Sequence, residues 1–562
     1  MSDEDCQSTV SILSSILIHH AESPHWPDLI QHLKDVTSSH ALQANQITSK
    51  RKLKNMKIES EDYRDGIIIK MINLISPFDQ HLTWIDVYKQ RAGVQDIFPE
   101  HIIASIPKSH HDVDVTKLYN QKGIYTFTID SFGTRDMDDG ITILSFDESK
   151  IRLGVHITNV SSLFLENITS SQDLLNHDLF KQAVERVTSI YIPGAESSLE
   201  NTSSPNMKVI PMMPVEISEQ LYSLVEGQVR PCVTYEFTIH KDGTFEFHGI
   251  SLTHAVMEHN LSYDHVDSIL NQKEFDHPSA GKLVDFNFWK VLSDCCKALE
   301  IKRLENGAIE FDNQSDLKVY KDCNDVISLS VSERRLFSSS TIITELAILV
   351  NSVSGEFITK NKVPCMYKYQ PPYELKEPWA HSDPLHRKFL KITDVRFANG
   401  SAGVSADPQG NSVVGVPYYV QQTSPLRRLF DLLVQIQLVH YLKVKECLFT
   451  FNEMDHYAKL ITSEGQRKMN VEQNTMDHLL VVYLNQCLQK GVHNHHVVFK
   501  GYDDDHHTCK LRLVDLNQYH ITGTVNGGLK GDKVKILKKL KNIQVKIVEA
   551  DPFSHSIMVE FP

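Results

Sequence analysis

Four aspartates fall within ten residues of this chain, in the segment Thr128-Ile-Asp-Ser-Phe-Gly-Thr-Arg-Asp-Met-Asp-Asp-Gly140. They are Asp130, Asp136, Asp138 and Asp139. Like charges packed that closely repel, so a fold that brings them together needs a cation beside them. The residues leading in alternate: Tyr125, Phe127 and Ile129 share one face of a strand, and Thr126, Thr128 and Asp130 the other. Asp130 is therefore expected at a strand end, with the other three in a tight loop that re-enters the sheet. All-oxygen donors select a hard ion such as Mg2+ or Mn2+. Mg2+ keeps waters and takes further ligands from substrate phosphate, which suits phosphodiester hydrolysis.

Two plainer readings compete. A calcium loop of EF-hand type fails on frame: with Gly140 sixth, Arg135 falls first, Met137 third and Phe146 twelfth, where oxygen ligands are needed. A solvated acidic turn stays open for this segment taken alone.

The formal net charge is −14, from 57 Lys and Arg against 71 Asp and Glu. A nucleic-acid ligand then requires a locally basic path on an acidic molecule. Two stretches offer one: Lys50, Arg51, Lys52, Lys54 and Lys57, and then Lys530, Lys533, Lys535, Lys538, Lys539, Lys541 and Lys546. Either also reads as a solvated face. No apolar run reaches the roughly 18 residues of a membrane span, and Val10–Ile18 makes a poor signal peptide but a reasonable first helix. The nine cysteines form no CxxC pair and read as reduced thiols of a cytoplasmic protein. No GxxxxGK[ST] loop occurs, which argues against an ATP-driven helicase.

The patterning predicts an α+β chain of three domains. Residues 1–112 read as mainly helical, compatible with a helix-turn-helix arrangement, with apolar residues at helical spacing in Val10–Ile18 and Gly66–Ile75 and a helix starting at Trp84–Tyr88. Residues 113–490 read as a catalytic domain, a mixed sheet surrounded by helices. Its strands include the pair Ile141–Ser145 and Arg152–Val160, and a hairpin Val233–His240 with Thr244–Leu252 around Lys241-Asp242-Gly243. Its helices are Phe286–Leu304, Ser339–Lys360, Pro425–Lys443, Glu453–Gln466 and Val471–Gln489. Residues 495–562 read as an OB-type barrel of short strands: Val497–Tyr502, Thr508–Val514, Gln518–Val525, Lys533–Leu540, Ile543–Glu549 and Ser556–Phe561. Ser424 and Pro425 look like a helix start, placing Arg427 in the first turn with Asp431 able to orient it.

The acidic segment, followed by Leu153-Gly-Val-His-Ile-Thr-Asn-Val160, resembles the signature of the RNase II/RNB exoribonucleases, in which an aspartate is followed by others six, eight and nine positions on. The likeness continues at Tyr191-Ile-Pro-Gly194, Ile210-Pro-Met-Met-Pro214, Leu221-Tyr-Ser-Leu224, Arg230, Gly307-Ala308, Glu345 with Asn351, and Pro417-Tyr-Tyr-Val-Gln-Gln-Thr-Ser-Pro-Leu-Arg-Arg428. It runs in order from about 120 to 480. The resemblance implies that Asp130, Asp136 and Asp139 hold Mg2+, that Asp138 completes the site, and that Arg427, followed by Arg428, contacts the phosphate. It implies RNA contacts for Tyr191, Tyr263 and Glu472, and for Tyr320 as a weaker match. Stacking on tyrosines would hold single strands without reading sequence; core packing is the alternative for each. The implied activity is hydrolysis of single-stranded RNA from its 3′ end to nucleoside 5′-monophosphates, by a protein expected to act as a monomer. Asn159, Gln435-Ile436 and Gln473 depart from the family pattern, which has Asp, His-Arg and Arg there, and the family's N-terminal cold-shock barrels are not evident.

Overall fold

The computed structural model describes residues 83–109, 118–119, 125–166, 168–193, 207–272, 286–310, 315–321, 327–333, 338–375, 395–397, 402–514, 516, 519–525, 528–529, 531–540, 542–552 and 555–562. The expected helices before residue 83, the first basic stretch, Lys530 and Lys541 lie outside the described residues.

A seven-stranded mixed sheet forms the centre. Its strands are β1 (Leu118–Tyr119), β2 (Thr126–Asp130), β3 (Asp139–Phe146), β4 (Lys150–Thr158), β7 (Val229–His240), β8 (Phe245–Val256) and β9 (His259–Ser262), in the order β1-β8-β7-β4-β3-β2-β9. A side ribbon of β5 (Ile190–Pro193) and β6 (Met207–Ile210) lies between β4 and β7 in the chain. The β7–β8 hairpin turns at Gly243 (φ 79°), the left-handed position its Asp-Gly pair signals. Along β2 the alternation separates two faces, but both are covered: Thr126, Phe127, Thr128 and Ile129 are all buried. Helix α3 (Phe286–Glu305) covers one face, packing Phe288 and Trp289 at a tilt against Phe127 at centroid separations of 6.3 and 4.8 Å.

Helix α4 (Ser338–Lys360) packs on α3. Among the described residues it alone is long and apolar enough to cross a membrane, by length and composition. Here it is a core helix, with Ile342, Leu346 and Val350 buried. One buried ion pair ties the two helices: Arg303 donates through Nε to Glu345 Oε2 (2.9 Å) and through Nη2 to Oε1 (2.5 Å). Helix α5 (Leu429–Val444) is buried from Leu429 through His440, the pattern of a helix enclosed on every side.

The two predicted helices after residue 450 are one. Helix α6 (Phe451–Gln489) has 39 residues, a rod of about 58 Å. A capping box of Thr450 and Glu453 starts it, and nothing in the Gly465–Gln466 region breaks it. It packs in turn on β5, on α1 (Trp84–Arg91), on the hairpin Ser315–Lys321/Ile327–Glu333 and on the C-terminal barrel. That barrel is closed by Asn494–Asp503, Thr508–Leu513, Tyr519–Val525, Ser556–Glu560 and Ile543–Asp551. The predicted strand Lys533–Leu540 is instead a helix, Gly531–Leu537, with only Leu537 buried. Its lysines alternate with Val534 and Ile536, a pattern that a short exposed helix satisfies as well as a strand.

Breaking the Arg303–Glu345 pair leaves the part-buried Arg303 with the Val414 carbonyl but without its counter-charge. Glu345→Ala is expected to lower stability by about 3–5 kcal/mol, read as a fall in the denaturant midpoint. A midpoint unchanged from the parent protein would show the pair to be dispensable.

Candidate active site

The acidic segment lies at one end of the sheet, between the inner strands β2 and β3. Asp130 ends β2 opposite Ser262 of β9 in parallel register, and Asp139 opens β3 opposite Ile157 of β4. Between them Ser131–Thr134 forms a turn, closed by Thr134 N–H on Ser131 O (3.1 Å) with Gly133 at φ 84°. Gly140 is closely packed: a Cβ there would lie 2.7 Å from Met257 Sδ and would make that side chain shift.

The loop is clamped from the segment before β7. Met137 N–H donates to Ser223 Oγ (3.0 Å), Ser223 Oγ–H donates to Arg135 O (2.6 Å), and Leu224 N–H donates to Met137 O (3.0 Å). Arg230 holds that clamp in turn, donating to the carbonyls of Ser223 (2.8 Å) and Gln220 (2.5 Å). Leu221–Leu224 and Arg230 are therefore supports of the acidic loop, a role that sequence spacing does not reveal.

The basic partner arrives from almost 300 residues away. Asp138 is buried (3% exposed). Its Oδ1 accepts from Leu426 N–H (2.9 Å) and its Oδ2 from Arg427 Nε (3.3 Å), while Thr158 N–H donates to its carbonyl (2.9 Å). Pro425–Arg427 is a turn and α5 starts only at Leu429, four residues later than its sequence suggests. The reason is Asp431. Its buried Oδ1 accepts from Ser424 N–H (2.9 Å) and Arg428 Nη2 (2.7 Å), fixing a turn where a helical N-terminus was expected. Asp431 thus holds Arg428, and Arg427 turns to Asp138 instead. Thr188 Oγ1–H and Ser189 N–H both donate to Arg427 O (3.1 and 2.9 Å), and Leu429 N–H to Val187 O (2.8 Å). Val187 sits at φ 65°, a conformation that costs a β-branched residue on the order of 1–3 kcal/mol. The strain therefore lies in the segment that holds the arginine turn.

Negative charge outweighs positive charge in this cluster. Burial, reinforced by Asp139 and Asp136, pushes Asp130 up to about 7. Burial pushes Asp139 up to about 6 against the pull of Arg427 and Arg428. Asp136 and Asp138 are raised as well, burial again leading. Arg427 stays charged: burial works against it, but Asp138, Tyr191 and Asp136 hold its proton. Among the described residues Asp130 Oδ2 is buried without a hydrogen-bond partner. Buried carboxylates lifted this far, one with an orphaned oxygen, form a donor set that suits a hard cation. Among the described residues no three His, Cys, Asp or Glu side chains already converge as a ligand cage. Mg2+ does not demand one, since it is commonly held by one or two carboxylates, waters and substrate phosphate.

Two tyrosines border the cluster. Tyr263 follows Ser262, which caps the helix Tyr263–Leu270, and its hydroxyl is pushed up to about 12 by burial and by Asp139 and Asp130. Tyr191 lies in β5, where Glu472 Oε1 of α6 accepts its backbone N–H (2.6 Å). Burial raises its hydroxyl against the pull of Arg427. Tyr320 is not brought here. It lies on the hairpin whose Val319 and Ile327 pack on Leu479 of α6. Lys533 and Lys535 lie on the short helix of the barrel, with Lys535 exposed and 3.9 Å from Asp532.

The carboxylate shifts set a sign for pH dependence. Folded Asp130 and Asp139 bind protons more tightly than the unfolded chain does. In chelator, stability should therefore fall as pH rises from about 4 through 7. Asp130→Asn should remove part of that loss, raising stability at pH 7.5 relative to the parent by on the order of 1–3 kcal/mol and changing little at pH 4. Melting curves at both pH values check this; equal shifts at the two would contradict it.

Comparison with known proteins follows the same lines. A model of the RNB domain matches residues 117–444, more than half of the chain. Ribonuclease R of Chlamydia trachomatis is 25% identical over 430 residues, covering 70% of this chain and 57% of that protein. The Dss1 exoribonuclease of Candida glabrata superposes with a TM-score of 0.73 at 17% identity, over 99% of this chain and 68% of that one. Yeast Ssd1, described as a pseudonuclease, superposes at 0.52 with 12% identity, over 83% of this chain and 58% of that one. The structural likenesses, at these identities, speak for the fold. The chain spans 50–57% of the length of three curated relatives it matches. With the acidic loop, the arginine turn and the mixed sheet arranged around one another, the chain belongs to the RNB domain family.

Proposed function

We propose that this protein is an exoribonuclease that hydrolyses single-stranded RNA from the 3′ end with Mg2+, or Mn2+ in its place, releasing nucleoside 5′-monophosphates. The observation that carries the reading is the pairing of Asp138 with Arg427 beside the half-buried Asp130 and Asp139, both raised well above an ordinary carboxylate. A hydrolase of phosphodiesters needs both halves: carboxylates for a metal ion, and a guanidinium for the charge that builds on the phosphoryl oxygens.

Asp130, Asp136 and Asp139 would hold the ion, whose chemistry when bound is to activate water and steady the departing 3′-oxygen. The chain's own residues do the rest. Arg427 neutralises the phosphate, with Thr188 and Ser189 fixing its backbone. Asp138 is paired with Arg427 before substrate arrives and can release it to the phosphate. Tyr191 and Tyr263 offer ring faces for bases at the 3′ end, and Glu472 fixes the strand that carries Tyr191. Lys533 and Lys535 would gather the strand at the barrel. The free cysteines among the described residues support a reducing, cytoplasmic setting.

A second reading, an RNA-binding member without catalysis, draws on the likeness to the pseudonuclease and on the three departures from the family pattern. The departures lie off the aspartates. Gln435 donates to Thr158 O (2.8 Å) and accepts from Ser161 N–H (3.0 Å), while Asn159 Oδ1 accepts from Ser161 Oγ–H (2.6 Å). Gln473 bonds Asp477 on the surface of α6. Asn159 stands where the family has an aspartate, but none of the three departures falls on Asp130, Asp136, Asp138 or Asp139.

Incubation with 5′-labelled single-stranded RNA and Mg2+ should give shortening from the 3′ end and mononucleotide product. Asp138→Asn should abolish cleavage while leaving RNA binding, and Arg427→Lys should lower kcat by about 100-fold or more. Folded protein that retains RNA in EDTA and Mg2+ alike, and never shortens it, would favour the second reading.

A further inference from the structure

Apart from the aspartate cluster, a pocket opens between the chain after α1, the helix Asp178–Arg186 and α6. It is lined by Gly93, Glu185, Arg186, Thr188 and Lys468 among others, and is small and partly open to solvent. Its two cations are buried: Arg186 is 7% exposed and Lys468 3%. Neither has a carboxylate within ion-pair distance among the described residues; both face carbonyl oxygens. Arg186 donates to Pro211 O (3.2 Å) and Ile97 O (3.0 Å) and lies over the Phe98 ring at 3.6 Å. Lys468 donates to Ala92 O (2.5 Å) and Gly93 O (2.9 Å).

Asp96 and Glu185 act on Arg186, and Glu464 on Lys468, only through space; their contacts within bonding distance go to other groups. Asp96 pairs with Lys89 (2.8 Å) and Lys208 (3.2 Å), Glu464 with Arg467 (3.0 Å), and Glu185 accepts from the Gln182 amide (2.9 Å). Donors are left over. Among the described residues Arg186 Nε is buried with no partner, and a lysine has three N–H groups where Lys468 uses two. A purely structural staple to carbonyls would not need charge; neutral amides donate as well, without the cost of burying two cations that repel each other.

We propose that this pocket is a binding site for a phosphate-type oxyanion, held between Arg186 and Lys468. It adjoins the candidate active site without being part of it. Thr188, on its wall, donates to Arg427 O, and Glu472, one helical turn beyond Lys468, fixes Tyr191. The oxyanion is either a backbone phosphate of bound RNA, which rests on the exoribonuclease reading, or free phosphate, which does not.

The test uses the full chain. Its melting temperature is followed against sodium phosphate, with sodium chloride at matched ionic strength as the control. A saturable rise of about 1–2 °C or more is expected for the parent. The rise should vanish in Arg186→Gln and Lys468→Gln and persist in Lys468→Arg. Single-stranded RNA binding to the Asp138→Asn protein then separates the sources. If phosphate competes with RNA, and Lys468→Gln lowers the salt slope of RNA affinity by about 1, the occupant is RNA backbone. Phosphate binding without competition identifies a free-anion site, and so does phosphate binding by a protein that holds no RNA. No phosphate dependence in the parent, or one that survives in both Gln variants, overturns the proposal and leaves the cations as staples of the 92–97 backbone.

Discussion

Buried negative charge is the constraint around which the sheet half of the fold is arranged. Four aspartates in ten residues repel one another, and burial raises that cost by removing water. Within the chain the answer is one arginine turn, delivered from almost 300 residues downstream. Asp138 accepts from that turn through a backbone N–H and a guanidinium at once. This contact draws the end of the sheet and the start of the most buried helix together. The other supports serve it: Ser223 and Arg230 shape the acidic loop, Asp431 shapes the arginine turn, and Thr188 and Ser189 anchor its carbonyl. The compensation is still incomplete, and the incompleteness is where function enters. A site fully neutralised by its own side chains would have no use for a metal ion or a phosphate.

Much of this was legible in the sequence. The alternation into Asp130, the Asp-Gly hairpin and the long apolar helices each follow from one local period, and each has its element. The bounds that moved did so for tertiary reasons. Leu429 rather than Pro425 begins its helix because Asp431 takes the Ser424 N–H and Arg428 in a turn. Two helices become the single rod Phe451–Gln489 because packing along its whole length outweighs the helix-weakening Gly465. Residues 531–537 follow helix rather than strand, because period-2 and helical patterns are hard to tell apart over seven residues.

Site residues divide the same way. The aspartates and Arg427 were visible as motifs, since chemistry restricts residue type. The clamp of Ser223 and Arg230 was not, because hydrogen bonds to carbonyl oxygens leave no compositional trace. Tyr191 and Tyr263 are indistinguishable in sequence from core tyrosines; β5 and the helix Tyr263–Leu270 set them beside the carboxylates. Asn159 and Gln435, separate oddities in the sequence, prove to be one neutral network around Ser161, docking the end of β4 on α5.

The account stands on the claim that the aspartate cluster lacks positive charge and will take a divalent ion to supply it. Calorimetric titration of the intact chain with Mn2+ near pH 6.5, repeated in two buffers of different ionisation enthalpy, measures that directly. Saturable binding accompanied by net proton release is the result predicted, because Asp130 and Asp139, raised to about 7 and about 6, must give up protons to bind metal. Heat that never saturates, or saturable binding with no proton released, would contradict it.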